Sequence, residues 1–203
     1  MKPTLFSLPA LTRSFHLLLI LLVSCSAVFA SGSVDETFNP VASAPLTSST
    51  ASGLLVQPDG KTVIWGADFA VDGQAKGKVL RLNVDGSLDN TFTFCSCLPS
   101  VNSVALQPDG KLVVAGSLNS QAKLIRINTN GSNDPTFNNE IVGLNSSSSE
   151  FVLIQPDGKI LATAYGSLGQ GYHAGYLTRF NSDGSADGAF PKLYYDSGRS
   201  IYG

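Results

Sequence analysis

Three observations in this sequence predict an all-β fold of short antiparallel strands grouped into repeated blades. The pentapeptide QPDGK stands at Gln57–Lys61, Gln107–Lys111 and Gln155–Lys159, at intervals of about fifty residues. Each copy lies between two apolar, β-branched segments, as in "LLVQPDGKTVIWGADF", "VALQPDGKLVVAGS" and "VLIQPDGKILATAYGS". A second word, Gly-Ser-x-Asp-x-x-Phe, follows each copy after a third apolar segment. Several short strands per unit, with Gly-rich turns at fixed offsets, are what a β-propeller blade looks like in sequence. The fold expected is therefore β-propeller-like, with about three blades of four short strands each, an incomplete propeller after an N-terminal signal peptide. A β-sandwich is the competing all-β arrangement, and the strict repeat argues against it.

Taken in order, residues 1–30 read as the signal peptide. Lys2 and Arg13 precede the apolar run "FHLLLILLV", small residues follow in "SCSAVFA", and no acidic residue occurs before Asp35. The run is too short to cross a ~30 Å hydrocarbon core comfortably, which sets aside a transmembrane anchor. Two cleavage readings stay open: Val28-Phe29-Ala30 suits an ordinary signal peptidase, and Leu22-Val23-Ser24-Cys25 resembles a bacterial lipobox that would leave Cys25 lipid-modified. The first is favoured, because Ser26 to Ser31 is short for a lipoprotein tether. Either reading sends the chain out of the cytoplasm.

Residues 31–203 read as the repeat domain, with units at 45–92, 98–137 and 147–190 and the start of a further unit at 197–203. In each QPDGK, Pro presets φ for a turn, Asp59, Asp109 or Asp157 bonds its own backbone, and Gly60, Gly110 or Gly158 accepts positive φ. The pentapeptide is thus a hairpin connection; a row of aspartates binding a metal or ligand is the sharper alternative, but turn chemistry accounts for all five residues. The third segments align as Arg81-Leu82-Asn83, Arg126-Ile127-Asn128 and Arg179-Phe180-Asn181, apolar on both faces beside the arginine. Strands of that kind lie sandwiched between layers. A fourth copy of the second word, at Gly32–Phe38, is expected to supply the outermost strand of a neighbouring sheet.

The run "GADFAVDGQAKGKVLRLNVDGSLDNTF" (Gly66–Phe92), preceded by "LLVQPDGKTVIW", resembles the delta-60 repeat family of exported bacterial proteins. The resemblance covers nearly all of the chain after the signal and implies tandem propeller-like blades, with no general activity attached. The first unit matches best. The second lacks the Asp-Phe after its second strand and shortens the following loop to "SLNSQA"; the third carries "GSLGQGYHAG" there.

Candidate chemistry is sparse. Arg81, Arg126 and Arg179 recur at one strand position, and the second words offer Asp35, Asp89, Asp134 and Asp187 as partners, so a structural arginine–carboxylate pair in every blade is expected. A ring of arginines gripping an anion is the alternative. Asp68, Asp72 and Gly73 make only a fragment of a calcium loop, without the alternating oxygen ligands. His16 lies in the signal, which leaves His173 as the one histidine of the repeat domain, and no Ser-His-Asp set, HExxH, CxxC pair or phosphate loop is present. No catalytic residue, metal site or cofactor is therefore expected. Cys95 and Cys97 could form a tight bridge, stay free or pair between molecules.

The segments between second and third strands differ most among units: Ala67–Lys76, Ser117–Ala122 and Tyr165–Gly175. Loops on one face of a repeat array commonly carry binding, so Phe69, Tyr165, Tyr172, His173 and Tyr176 are the ligand-contact candidates. With 43% hydrophobic residues, 14% charged residues and a net charge of −2, the composition gives no electrostatic support to a nucleic-acid partner. The function expected is a non-catalytic exported scaffold binding a cell-surface protein or glycan. A propeller-type hydrolase or lactonase, with its site in the central channel, is the alternative. Three blades cannot close a ring of four to eight, so a longer protein or self-association is also expected.

Overall fold

The computed structural model describes residues 50–71, 74–137, 146–169, 172–191, 193–196 and 199–202. All belong to one compact unit, Asp35–Gly203; the other, Met1–Val34, lies outside them. The signal peptide with both cleavage sites, the word at Gly32–Phe38, and Asp72-Gly73 also lie outside the described residues. The described residues form strands, turns and connections, with no helix among them.

Three antiparallel sheets follow one another along the chain. Blade 1 holds β1 (Ala51–Val56), β2 (Thr62–Val71) and β3 (Gln74–Leu82) in that spatial order. Blade 2 repeats it with β4 (Ser100–Leu106), β5 (Leu112–Leu118) and β6 (Gln121–Ile127). Blade 3 has β7 (Ser146–Ile154), β8 (Ile160–Gly169) and β9 (Tyr172–Phe180), then β10 (Leu193–Asp196) and β11 (Arg199–Tyr202) at its outer edge. Residues 199–202, expected to start another unit, thus pair with β10 in the sheet of blade 3.

The registers match from blade to blade. Val56 faces Thr62, Leu106 faces Leu112 and Ile154 faces Ile160 across the QPDGK connections. In each, the Gly N–H donates to the Gln carbonyl at 2.9–3.0 Å and the Gln N–H to the Lys carbonyl at 2.8–2.9 Å. Gly60, Gly110 and Gly158 carry φ of 82–83°, the left-handed residue that completes a type I turn with a bulge. The second word is another turn of the same kind: Gly86 N–H donates to Asn83 O and Asn83 N–H to Ser87 O, with Gly86 at φ 82°.

Among the described residues blades 1 and 2 hold three strands each, and the expected fourth strand is absent from their sheets. In its place the second word closes on a single bridge, Leu82 with Leu88, Ile127 with Asn133 and Phe180 with Ala186. Its Asp-x-x-Phe residues are drawn into side-chain bonding, and the chain then crosses to the next blade. Thr93 N–H donates to Asn130 O and Cys95 N–H to Gly131 O, tying the crossing segment of blade 1 to the second turn of blade 2. The segments expected as long loops are also largely strand: β2 runs to Val71 and β3 starts at Gln74, while β5 and β6 are joined through Asn119 and Ser120 alone, both at positive φ. Glycine-rich sequence hid these ladders, which continue through register irregularities at Trp65/Phe69 and Ser167/Gly169.

Side chains alternate across each sheet, so a blade has a forward face and a back face. The forward face of blade 1, with Val63, Trp65 and Val79, packs on the back face of blade 2, with Val104, Val114, Ile125 and Ile127. The forward face of blade 2, with Val113, Ala115 and Leu124, packs on Val152, Ile160, Ala162 and Phe180 of blade 3. Gly53 lies against the indole of Trp65, whose Nε1 donates to Asn102 O of β4. The structure joins Cys95 to Cys97 in a disulfide that packs against the first of these cores.

Candidate functional site

In blade 1, β2 and β3 bring Val63 opposite Arg81, and the second turn folds Asp89 back onto Arg81, with Asp89 N–H donating to Arg81 O. Arg81 Nε then donates to Asp89 Oδ2 at 2.7 Å, and Lys61 Nζ, the lysine of QPDGK, reaches the same oxygen at 2.8 Å. Asp89 Oδ1 accepts from the Thr91 hydroxyl at 2.6 Å and the Thr91 N–H at 2.9 Å. The Arg81 guanidinium lies 4.8 Å from the centre of the Phe92 ring. Blade 2 repeats every part with Lys111, Arg126, Asp134, Thr136 and Phe137, and blade 3 with Lys159, Arg179, Asp187 and Phe190. Ala189 replaces the threonine in blade 3 and offers only its N–H to Asp187.

These contacts fix the charges. Burial alone would push the Asp89 carboxyl up, but Lys61, Thr91 and Arg81 outweigh it and hold it far below its usual range. Lys111 and Thr136 do the same for Asp134 against burial. Lys159 and the Ala189 N–H lower Asp187 to about 2. Two of the arginines also reach forward: Arg81 Nη1 donates to Thr129 O of blade 2 at 2.7 Å, and Arg126 Nη1 to Ser182 O of blade 3 at 3.0 Å. Gln107 Nε2 donates to the same Ser182 carbonyl at 2.9 Å.

The pairing of Arg81, Arg126 and Arg179 with Asp89, Asp134 and Asp187 was expected as structure. What sequence reasoning missed is the QPDGK lysine and the second-word phenylalanine, which join the pair from a distant strand and a turn. Their signal was present, since both recur in all three units. Asp59, Asp109 and Asp157 each bond the N–H of the lysine two residues on, at 3.1 Å, as turn residues do.

Among the described side chains, Phe69 stands on blade 1 and Tyr165 and Tyr176 on blade 3. Phe69 is 1% exposed, packed with Val71 and Leu80, and Tyr176 is 2% exposed on β9. Both are core residues, within ladders where loops were expected. Tyr165 is half-buried on β8, facing Gly175. Tyr172 and His173 lie at the start of β9, and their side chains lie outside the described residues.

Two of the concavities among the described residues are larger than the one beside Arg126 and Asp134. Pro58, Pro108 and Pro156, at the three QPDGK tips, line one cavity of about 360 Å³ together with Leu106, Gln107 and Ile154. The second, about 430 Å³, lies on blade 1 between the β2–β3 hairpin and the crossing segment. Asp68, Lys76, Asn90 and Ser96 give it polar groups and Phe94 an apolar wall. Asp68 is held by Lys78 at 2.8 Å. Among the described residues no group of His, Cys, Asp and Glu side chains is placed to hold a metal ion.

The family model described as "Domain of unknown function (DUF5122) beta-propeller" matches residues 57–92, 107–137 and 155–190, just over half of the chain. The chain belongs to this family. Each match starts at the glutamine of QPDGK and ends at the phenylalanine of the second word, so the family pattern is bounded by the residues of the Lys–Arg–Asp–Phe cluster. No curated protein matches the chain in sequence. Among solved structures, one provisionally named a gluconolactonase is similar at 19% identity and a TM-score of 0.41, over 66% of this chain. The chain spans 44% of that protein's length.

Proposed function

We propose that this chain is a non-catalytic, exported scaffold of the delta-60 repeat kind that binds a protein or glycan through one end of its blades. The observation that carries this reading is the fate of the recurrent charged residues. In each described unit the strand Arg, the second-word Asp and the QPDGK Lys are bound together over a phenylalanine ring, so the chemistry common to these units builds blades. Binding then falls to what differs between units, and the pocket of blade 1 is one such place, with polar groups and an apolar wall in the mixture that sugars and polar peptide segments meet. Export rests on the basic and apolar leader, with release after Ala30 preferred to lipid attachment at Cys25.

The test is a glycan array and a surface-protein pull-down with the full chain, beside the variants Lys76→Ala and Asn90→Ala. Saturable binding that weakens roughly tenfold in either variant, with the circular dichroism spectrum kept, supports the reading. Steady hydrolysis of an aldonolactone by the purified chain, co-eluting with it through successive columns, would replace it with the hydrolase.

A further inference from the structure

The two ends of the blade stack carry the two halves of one joint. Inside the chain that joint is made twice, and each time it has the same parts. An arginine on the forward face of one blade sends Nη1 to a backbone carbonyl in the second turn of the next, Arg81 to Thr129 and Arg126 to Ser182. Apolar residues around it close the contact, and the arginine side chains are left only 9% and 10% exposed.

Blade 3 presents the donor half with no further blade in front of it among the described residues. Arg179 occupies the place of Arg81 and Arg126, opposite Leu161 as they are opposite Val63 and Val113. Its Nε holds Asp187, but among the described residues no carbonyl meets its Nη1, and its side chain is 22% exposed. Beside it Phe151 and Leu153 stand 67% and 61% exposed, where Gly53 and Leu55 of blade 1, and Ser103 and Ala105 of blade 2, face a neighbour. Blade 1 presents the acceptor half. Val84 aligns with Thr129 and Ser182, and it is 66% exposed, as are Leu54 at 65% and Val56 at 63% on the same face. Their counterparts in blade 2, Val104 and Leu106, are packed in the joint with blade 1.

We infer that the forward face of blade 3 docks on the back face of blade 1 of a second copy of this chain, with Arg179 donating to the Val84 carbonyl. Both parts of the joint are carried by this one sequence, in the geometry that its two internal joints already use. Exposed large apolar residues in contiguous patches mark interaction surfaces, and a head-to-tail contact between copies closes when the rotation allows. The three described blades of two copies bring six blades together, within the four to eight that propellers use, and a two-fold ring makes the same joint twice. The contact is continuous with blade stacking.

Sedimentation and light scattering of the full chain test this, together with Leu153→Asp and Leu54→Asp. Both positions are exposed, so either variant folds as a single chain, which circular dichroism checks. The expected result is a species of twice the intact mass, whose dissociation constant rises at least about tenfold in each variant because a carboxylate is buried in an apolar contact. Mixing the two variants is expected to restore association, since one intact forward face then meets one intact back face. A wild-type chain that stays monomeric to about 100 µM, association indifferent to either variant, or no recovery on mixing would overturn the head-to-tail joint. A closed trimer or an open-ended series would overturn closure at six blades.

Discussion

Arg126 shows how much of the repeat rests on a single buried cation. Its guanidinium is roofed by the Phe137 ring at 5.0 Å and held by Asp134 Oδ2 at 2.8 Å, with the side chains of the pair 10% and 5% exposed. A buried charge is tolerated only when paired, and Lys111 adds a second cation on the same carboxylate oxygen. Removing the carboxylate leaves two positive charges facing each other, so Asp134→Asn is expected to cost about 3 kcal/mol. That would lower the melting temperature by roughly 6–12 °C. The same clusters set the response to acid. Asp89, Asp134 and Asp187 titrate below the ordinary value of 3.8 in the folded chain, so their stabilisation is complete above pH 4 and is lost as pH falls towards and below about 2. Melting temperatures measured from pH 6 to pH 2 should fall steeply below pH 4, and less steeply in Asp134→Asn; a flat profile would show that the clusters do not bear on folding. The arginine–aspartate pair could be read from the sequence because the two residues lie eight apart on one hairpin. Lys61 recurs as regularly, but its partner was hidden, since it meets Asp89 only once the QPDGK turn and β2 have brought it beside the second turn.

Turns decide the elements, and glycine decides the turns, though not all of its positions cost the same to change. Gly158 has φ 82°, and a Cβ there would meet nothing nearer than 3.9 Å, so Gly158→Ala carries only the left-handed backbone penalty of about 1–2 kcal/mol. Gly131 has φ 88° as well, and a Cβ would run into the Thr93 backbone of the segment crossing from blade 1. Gly131→Ala should therefore lower stability by clearly more than Gly158→Ala in urea titration, and it should do so by loosening the bond between the first two blades. Equal losses would mean that the crossing segment adds nothing to the turn. The QPDGK hairpins were legible because Pro, Asp and Gly each have a fixed duty in a turn. The β2–β3 and β8–β9 ladders were not, because Gly-rich sequence reads as loop when its bulges and partners across the sheet are invisible. That misreading placed Phe69 and Tyr176 in loops, where the structure has strands.

A stack of blades is close to one-dimensional, so each blade is stabilised by its neighbours more than by its own sheet. Strands β2, β5 and β8 are each the middle of their local ladder, flanked on both edges. Their backbone pairing is therefore equivalent, and differences in protection between them report what covers the sheet faces. Blade 2 is covered in front and behind, and Val113, Val114 and Ala115 of β5 are 0% exposed. Blade 1 lacks cover over Leu54 and Val56, and blade 3 over Phe151 and Leu153. In dilute protein the amides of β5 should exchange with solvent most slowly, and those of β2 and β8 faster, since local opening is easiest where few apolar contacts resist it. As concentration rises and copies join, the end faces become internal, and β2 and β8 should slow towards β5 while β5 itself changes little. Exchange in dilute protein that is slower in β2 or β8 than in β5 would refute the account of stability by stacking, because the blade with both faces covered would then not be the one that holds the others.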